Sequence, residues 1–433
     1  MSRSRFDVVV VGSGPAGSAA ALELARAGAT VGLVDKAAFP RDKACGDIVG
    51  PRGLQVLSEL AVPRPPGRDV SDIVVLGPTG RRVRLPSGEG LTYPGYGTAV
   101  TRVDFDSRLH NAALEEGATP LRGRADEPLW DGDRLDGYRM HGSREVRADF
   151  VIGADGATSH VARTAGLVDA RRVLWGFAVR TYVSSDVDLP VISFWEPSSW
   201  RAFPGYGWAF PGAGGGANVG IGIATLADRT AGARAARALP AFLGHLHRQG
   251  VLAEPTTGTA GHLGGWLKMG MVGTVPAEGR VLLVGDAAGL VNPLQGEGIA
   301  QALGSGRLAA DAIVQTPGDA VGRYRASLKA AHLPYHRVAA ALQVATAGRP
   351  HFVAALGRLL VVAGRIDAIA GGWSIFWNEL LDGAPANRHR AVARAMTRVG
   401  RILSAPTPAA AWFAATLPAG GRGRGRVAVP SGP

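Results

Sequence analysis

One turn limits what this chain can become. Gly12-Ser13-Gly14-Pro15-Ala16-Gly17 stands between the apolar run Phe6–Val11 and an Ala/Leu-rich stretch from about Pro15 to Ala27. A short, wholly apolar run suits a strand buried on both faces, and the stretch after it has helical composition. Thr30–Val34 is a second such run, so strand, helix and strand follow within about thirty residues, the arrangement that pairs strands in parallel. Gly12 permits the tight turn, Gly14 lets the backbone approach a pyrophosphate, and Gly17 lets helix and strand pack closely. Pro15 and Ala16 open the helix, whose N-terminal N–H groups favour phosphate. Asp35 ends the second strand, placed to accept hydrogen bonds from a ribose hydroxyl. The turn therefore predicts a dinucleotide-binding unit.

Two further strings extend the unit. Val281–Val284 leads into Gly285-Asp286-Ala-Ala-Gly289, then Asn292-Pro293 and Gly296-Glu297-Gly298 before a helix, which brings a second helix N-terminus toward the same crevice. Val151-Ile-Gly153-Ala-Asp155-Gly156 follows another short buried strand at Phe150–Ile152, and Ser159 can begin a helix. Between these pieces the character changes. Gly176–Val183, Val191–Trp195, Trp200–Phe210 and Asn218–Ile223 are rich in β-branched and aromatic residues separated by turns, predicting an inserted antiparallel sheet. Val70–Leu85 around Pro78-Thr79-Gly80, and Arg134–Met140 with Arg144–Ala148, read as hairpins. Helices are expected over about Asp104–Glu116 and Leu239–His247, and through most of Gly296–Leu403.

Composition excludes several classes. The net charge of +12 is nearly all Arg, with four Lys in the 433-residue chain. The Arg residues are scattered and not clustered among aromatics, so nucleic acid is not an expected partner. The single Cys45 excludes an internal disulfide framework and a multi-cysteine metal site. His160, His262, His332, His336 and His351 lack compact metal-ligand spacing, so no metal is expected. No apolar run approaches transmembrane length, and Val8–Val11 is too short for a signal peptide. The expected location is cytoplasmic, with peripheral membrane contact through Phe352–Ile369 or Ala405–Leu417. The Gly/Arg/Pro-rich tail from Gly420 reads as disordered.

The three glycine/aspartate motifs, in this order and spacing over about residues 6–316, resemble the flavoprotein hydroxylase superfold of aromatic hydroxylases, flavin halogenases and geranylgeranyl reductases. The resemblance implies an α/β, PHBH-like fold: a Rossmann-like FAD-binding domain (1–70, 98–170, 275–316), an inserted antiparallel β-sheet substrate domain (71–97, 171–274), a helical C-terminal region (317–419) and a tail (420–433). It implies that Gly12, Gly14, Gly17 and Asp35 hold the ADP half of FAD, with Lys36 and Arg41 in the loop beyond. It places Gly285, Asp286, Gly289, Pro293, Gly296 and Gly298 at the ribityl end, and Asp155-Gly156 by the flavin. Arg102 resembles an arginine on the phosphate or adenine side.

Two strings narrow the branch. Phe39-Pro40-Arg41-Asp42-Lys43-Ala44-Cys45-Gly46-Asp47 is similar to the basic Cys-Gly loop of geranylgeranyl reductases, and Tyr206-Gly-Trp208-Ala-Phe210-Pro211 to their Y-x-W-x-F-P pattern. In a strand Tyr206, Trp208 and Phe210 share one face, expected to wall the substrate pocket with Pro211. The resemblance implies reduction of carbon–carbon double bonds in a hydrophobic, isoprenoid-type substrate, with Cys45, Tyr206 and Trp208 in catalytic positions and Cys45 or Tyr206 helping to deliver a proton. A monooxygenase acting on an aromatic or polyketide substrate is the alternative. A halogenase ranks below both, because its pattern has a second tryptophan where Tyr206 stands. A single dinucleotide fingerprint means that NAD(P)H, or another reductant, donates electrons transiently in the same cleft. No catalytic lysine stands out, since Lys36 and Lys43 lie in the cofactor loops.

Overall fold

The computed structural model describes residues 3–85, 94–141, 144–195, 205–225, 230–253 and 261–347, and residue 398. Its first sheet is built around the apolar run that opens the sequence. Arg3–Val11 lies between Glu145–Gly153 and Val31–Asp35, parallel to both, with Val8 opposite Phe150 and Val31. Thr119–Arg122 extends the sheet beyond Val31–Asp35, and Val281–Leu283 extends it beyond Glu145–Gly153, both in parallel. Val8, Val9 and Val10 are completely buried, as a two-sided strand demands.

Helices Pro15–Arg26 and Ile299–Gln315 pack together through small residues. A Cβ on Gly306 would stand 2.3 Å from the Ala16 carbonyl oxygen, so only glycine allows this approach. The same packing sets Gly285 beside Ala16, with 3.0 Å between a hypothetical Cβ and the alanine methyl. Thus the loop at 285–298 meets the turn at 12–17. Helix Ala320–Ala331 then locks onto the strand before that loop, where the buried Tyr324 hydroxyl donates to the Leu283 carbonyl at 2.6 Å.

The second sheet has seven strands in the order Leu263–Met269, Leu174–Val183, Ala217–Thr225, Gly205–Pro211, Val191–Ser193, Ile73–Leu76 and Arg82–Leu85. All its pairings are antiparallel except Val191–Ser193 with Ile73–Leu76. Helix Ala231–Arg248 covers one face through Leu239, Phe242 and Leu246. A third small sheet pairs Gly97–Ala99 with Ile48–Val49 and Arg68–Val70, immediately after the Cys45 loop.

Several expectations need correction. Arg144–Ala148 and Phe150–Ile152 are one continuous strand, Glu145–Gly153, because polar Asp149 interrupts the sequence pattern but not the ladder. The expected helix at Leu239–His247 begins at Ala231 and runs through Pro240. The helix expected from Asp104 starts at Arg102, capped by the Thr101 side chain. The strand before Asp286 ends at Leu283, and Gly285–Ala288 is a 3-10 turn. Leu263–Met269, Thr119–Arg122 and Ala125–Asp131 went unread as strands, since glycine, proline and charge obscure their pattern. The segments Phe352–Ile369 and Ala405–Leu417 and the tail from Gly420 lie outside the described residues, as do 200–204 of the strand expected from Trp200.

The second sheet rests on glycine at Gly207, where an added Cβ would meet the Phe242 ring at 2.1 Å. Gly207→Ala should lower stability by about 1–3 kcal/mol through overpacking. Adding Phe242→Leu should cost less than the sum of the single changes, as thermal denaturation of the three variants would show.

Candidate functional site

The turn after the first strand is a backbone cradle. Gly12 adopts φ 104°, and a Cβ there would stand 2.3 Å from the Ala154 carbonyl oxygen. A Cβ on Gly17 would stand 1.8 Å from the Gly12 carbonyl oxygen. Both exclude a side chain, whereas Gly14 faces open space with only the Arg41 guanidinium near, at 3.5 Å. Asp35 accepts from the Ser13 N–H at 2.8 Å and from the Ala37 N–H at 2.8 Å. Each of its oxygens keeps a further lone pair for a ligand hydroxyl.

Arg41 stands beside this cradle, paired with Asp106 at 2.8 Å and lying 5.0 Å over the Phe39 ring. Arg102, expected on the phosphate or adenine side, shares Asp106 with Arg41. It is buried and grips Asp106 with two hydrogen bonds, at 2.8 and 2.7 Å, and its charge acts on the Cys45 thiol. The arginine next to the glycine turn is therefore Arg41. His110 was not anticipated: it stacks on Phe39 at 4.2 Å and bonds Ser13 Oγ at 2.7 Å, with burial lowering its pKa. Only the fold of helix Arg102–Glu115 against the turn reveals it.

The other two motifs meet across the crevice. Asp155 caps the short helix His160–Thr164, accepting from the His160 N–H at 2.6 Å and the Ser159 hydroxyl at 2.5 Å. Gly156, at φ 84°, has nothing within 4 Å of a Cβ, so its backbone lies open. Asp286 is half-buried, 3.7 Å from Lys43 Nζ and close to Gly298. Gly289 and Gly296 take φ values of 77° and 70°, which the turns require. Pro293 packs on Gly270, and Lys36 is exposed.

Lys268 is a second residue that the sequence did not mark. It is 1% exposed, and its ammonium donates to the Ala287 carbonyl inside the 285–289 turn. Burial lowers its pKa to about 8, against the pull of Asp155 and Asp286. It lies in the strand Leu263–Met269, itself unread from sequence, so no local signal marked it.

The aromatic strand faces the Cys45 loop. A Cβ on Gly46 would stand 2.8 Å from the Phe210 ring and 3.6 Å from Trp208 Nε1. One on Gly296 would stand 3.3 Å from the Tyr206 hydroxyl. The Tyr206 hydroxyl donates to the Gln295 carbonyl, which commits its proton. Trp208 donates to Asn218 Oδ1 at 3.0 Å, and Asn218 Nδ2 donates to the Cys45 carbonyl at 2.9 Å. Pro211 ends this strand, buried against Ala217. Burial pushes the Cys45 thiol up, over the opposing influence of Arg102. The group is therefore a thiol at neutral pH and not a nucleophilic thiolate. Tyr182 and Asn218 both bond Asp47, and Arg180 bonds Asp42 and lies 4.1 Å over the Tyr182 ring. These links join the loop to the sheet.

A FAD binding domain profile matches residues 5–313. The menaquinone reductase of Mycolicibacterium smegmatis is 38% identical over 323 residues, 71% of this chain and 76% of that protein. Digeranylgeranylglycerophospholipid reductase 2 of Methanopyrus kandleri is 34% identical over 317 residues, again 71% and 76%. A geranylgeranyl bacteriochlorophyll reductase-like protein of Thermoplasma acidophilum superimposes with a TM-score of 0.69 at 24% identity, covering 92% of this chain and all of that one. The open backbone at Gly14 and Gly156, with Arg41 and Asp35 beside it, fits the diphosphate and ribose of FAD.

Lys268 makes the pocket pH-sensitive. Its folded pKa lies below the unfolded value, so folding releases its proton between about pH 8 and 10.5 and stability rises with pH across that window. The rise is on the order of 3 kcal/mol. Lys268→Met should flatten it, as urea midpoints measured from pH 7 to 10 would show. The FAD profile over residues 5–313 and relatives above 30% identity, on a cradle whose open glycines suit the cofactor, place the chain in the FAD-dependent oxidoreductases and, among them, in the geranylgeranyl reductase family.

Proposed function

We propose that this oxidoreductase saturates carbon–carbon double bonds in the prenyl chain of a lipid-like substrate. The observation that carries the reading is the contact of the Tyr206/Trp208/Phe210 face with the Cys45-Gly46 loop and the Gly296 loop, beside the FAD cradle. An aromatic wall suits a hydrocarbon chain, and a partly buried thiol beside it suits proton donation. Two relatives are named for reductions of menaquinone and of digeranylgeranylglycerophospholipid, both of which carry prenyl chains.

When bound, reduced FAD would supply the hydride, with NAD(P)H or another reductant as the source of its electrons. Gly12–Gly17, Asp35 and Arg41 would hold the adenine dinucleotide half, and Asp286 with the turn at 285–289 would hold the ribityl end. Gly46 lets Phe210 close over the loop, so the chain can lie against Trp208 without water between. Cys45 gives up its thiol proton to the alkene. Tyr206 acts as an anchored wall, since its proton is held by Gln295. Among the described residues no helix is long and apolar enough to cross a membrane. Access to a bilayer-borne chain is proposed through the segments 352–369 and 405–417.

Anaerobic, dithionite-reduced holoenzyme should be reoxidised by geranylgeranyl diphosphate or menaquinone, with a saturated bond in the product by mass spectrometry. Cys45→Ala should slow this reoxidation by roughly 100-fold, the scale of general acid catalysis, with flavin stoichiometry unchanged. Reoxidation by neither probe, together with substrate-stimulated oxygen uptake and a hydroxylated aromatic product, would make the protein a monooxygenase.

A further inference from the structure

We propose that Lys268 is a positioning residue for FAD: its ammonium sets the 285–289 turn of the cofactor cradle, so the protein holds FAD most tightly while that ammonium is charged. The inference rests on the reading of Asp286 and this turn as the holder of the ribityl end.

The strand Leu263–Met269 reaches the turn with both its backbone and this side chain. The Lys268 carbonyl accepts from the Val291 N–H at 3.3 Å, and the Val291 carbonyl accepts from the Gly270 N–H at 3.1 Å. Met271 takes φ 57°, left-handed for a residue with a Cβ. Its N–H reaches the Gly289 carbonyl at 2.7 Å. The lysine stem packs against the same glycine, where a Cβ would stand 3.5 Å from Lys268 Cγ. The ammonium then donates to the Ala287 carbonyl, inside the turn Gly285–Ala288. Alternate residues of one segment, Ala287, Gly289 and Val291, are thus held from the second sheet.

The turn does not need a charge in order to close. The Gly289 N–H donates to the Asp286 carbonyl at 3.0 Å, and the Leu290 N–H donates to the Gly285 carbonyl at 3.2 Å. The Ser305 hydroxyl accepts from the Gly285 N–H at 2.9 Å. A methionine would fill much the same space as Lys268. An ammonium taken out of water is costly unless its surroundings favour it. A charge kept where an apolar chain would serve is a sign of use.

The charged groups around it are those of the cofactor motifs. Burial acts most strongly on Lys268, against its charge; Asp155 and then Asp286 favour the charge, and Arg163 opposes it. Lys43 faces the same Asp286 from the Cys45 loop, at 3.7 Å. The balance leaves Lys268 titrating at about 8, so the charge is present at neutral pH and lost in mildly alkaline solution. Its loss removes the cation that acts on both motif aspartates. It also turns the bond to Ala287 into a neutral one, about half as strong as a charged one.

The test follows FAD retention by the holoenzyme from pH 7 to 10, read as free flavin passing an ultrafiltration membrane at equilibrium. Wild-type affinity should fall as pH rises through about 8. The fall should be roughly 10- to 100-fold, the scale of a hydrogen bond to a charged group. Lys268→Met should bind at the weaker level already at pH 7 and show no step, so that the two proteins converge at pH 10. Its thermal midpoint should equal or exceed that of wild type, because no ammonium is desolvated on folding. Lys43→Met should keep the step, which assigns the titration to Lys268. A lysine serving the fold alone would lower the Lys268→Met midpoint and leave wild-type affinity flat with pH. A flat wild-type profile, loss of the step in Lys43→Met, or wild-type affinity of Lys268→Met at pH 7 would overturn the proposal. If Lys268→Met does not fold, the wild-type and Lys43→Met profiles decide. Asp286→Asn tests the reading beneath: undiminished FAD affinity in that variant removes the ribityl role of Asp286, while the wild-type step still reports on Lys268.

Discussion

Backbone lying on backbone at the first turn is the contact on which the rest depends. The Gly12 carbonyl fills the space a side chain on Gly17 would need, and the Ala154 carbonyl fills the space beside Gly12. Through these approaches the strand Arg3–Val11, helix Pro15–Arg26 and the end of Glu145–Gly153 meet at one point. Helix Ile299–Gln315 joins them, because Gly306 allows it onto the Ala16 carbonyl. Three motifs far apart in sequence thereby present open backbone to one crevice. The helix N-terminus adds the partial positive charge that a diphosphate wants.

Around that crevice the protein buries charge in pairs. Arg102 and Arg41 share the buried Asp106, and the buried Arg180 pairs with the exposed Asp42 of the Cys45 loop. Buried pairs add little net stability, because desolvation offsets their attraction. Their consequence is directional: each cation is held in one place, and the loop between them is held with it. Lys268 and Asp47 stand out against this pattern. Burial pushes both toward their neutral forms, Lys268 in the 285–289 turn and Asp47 beside the thiol. Strongly perturbed groups in a cleft are where chemistry is expected.

Much of the site was legible in the sequence because its parts are local. A glycine turn, a Gly-Asp turn or an alternating aromatic strand carries its own geometry, so Gly12–Gly17, Gly285–Gly289 and Tyr206–Phe210 could be read within a few residues each. Lys268 and His110 could not. Lys268 is an unmarked residue in a glycine-containing strand, and His110 a single position on an amphipathic helix. Arg102 differs: its motif was visible, but its protein partners were not. A guanidinium four residues before an aspartate on one helix binds that aspartate, and its charge acts on the Cys45 thiol.

The sequence by itself determined the dinucleotide-binding crossover and the alternation that lines up Tyr206, Trp208 and Phe210, because backbone sterics and strand periodicity act over a few residues. Tertiary structure alone decided what those elements face. Packing joined the aromatic face to the Cys45 loop, pressed Lys268 into the Gly285–Gly289 turn and left one oxygen of Asp47 without a partner. Burial and electrostatics depend on neighbours more than a hundred residues away, and no local pattern encodes them.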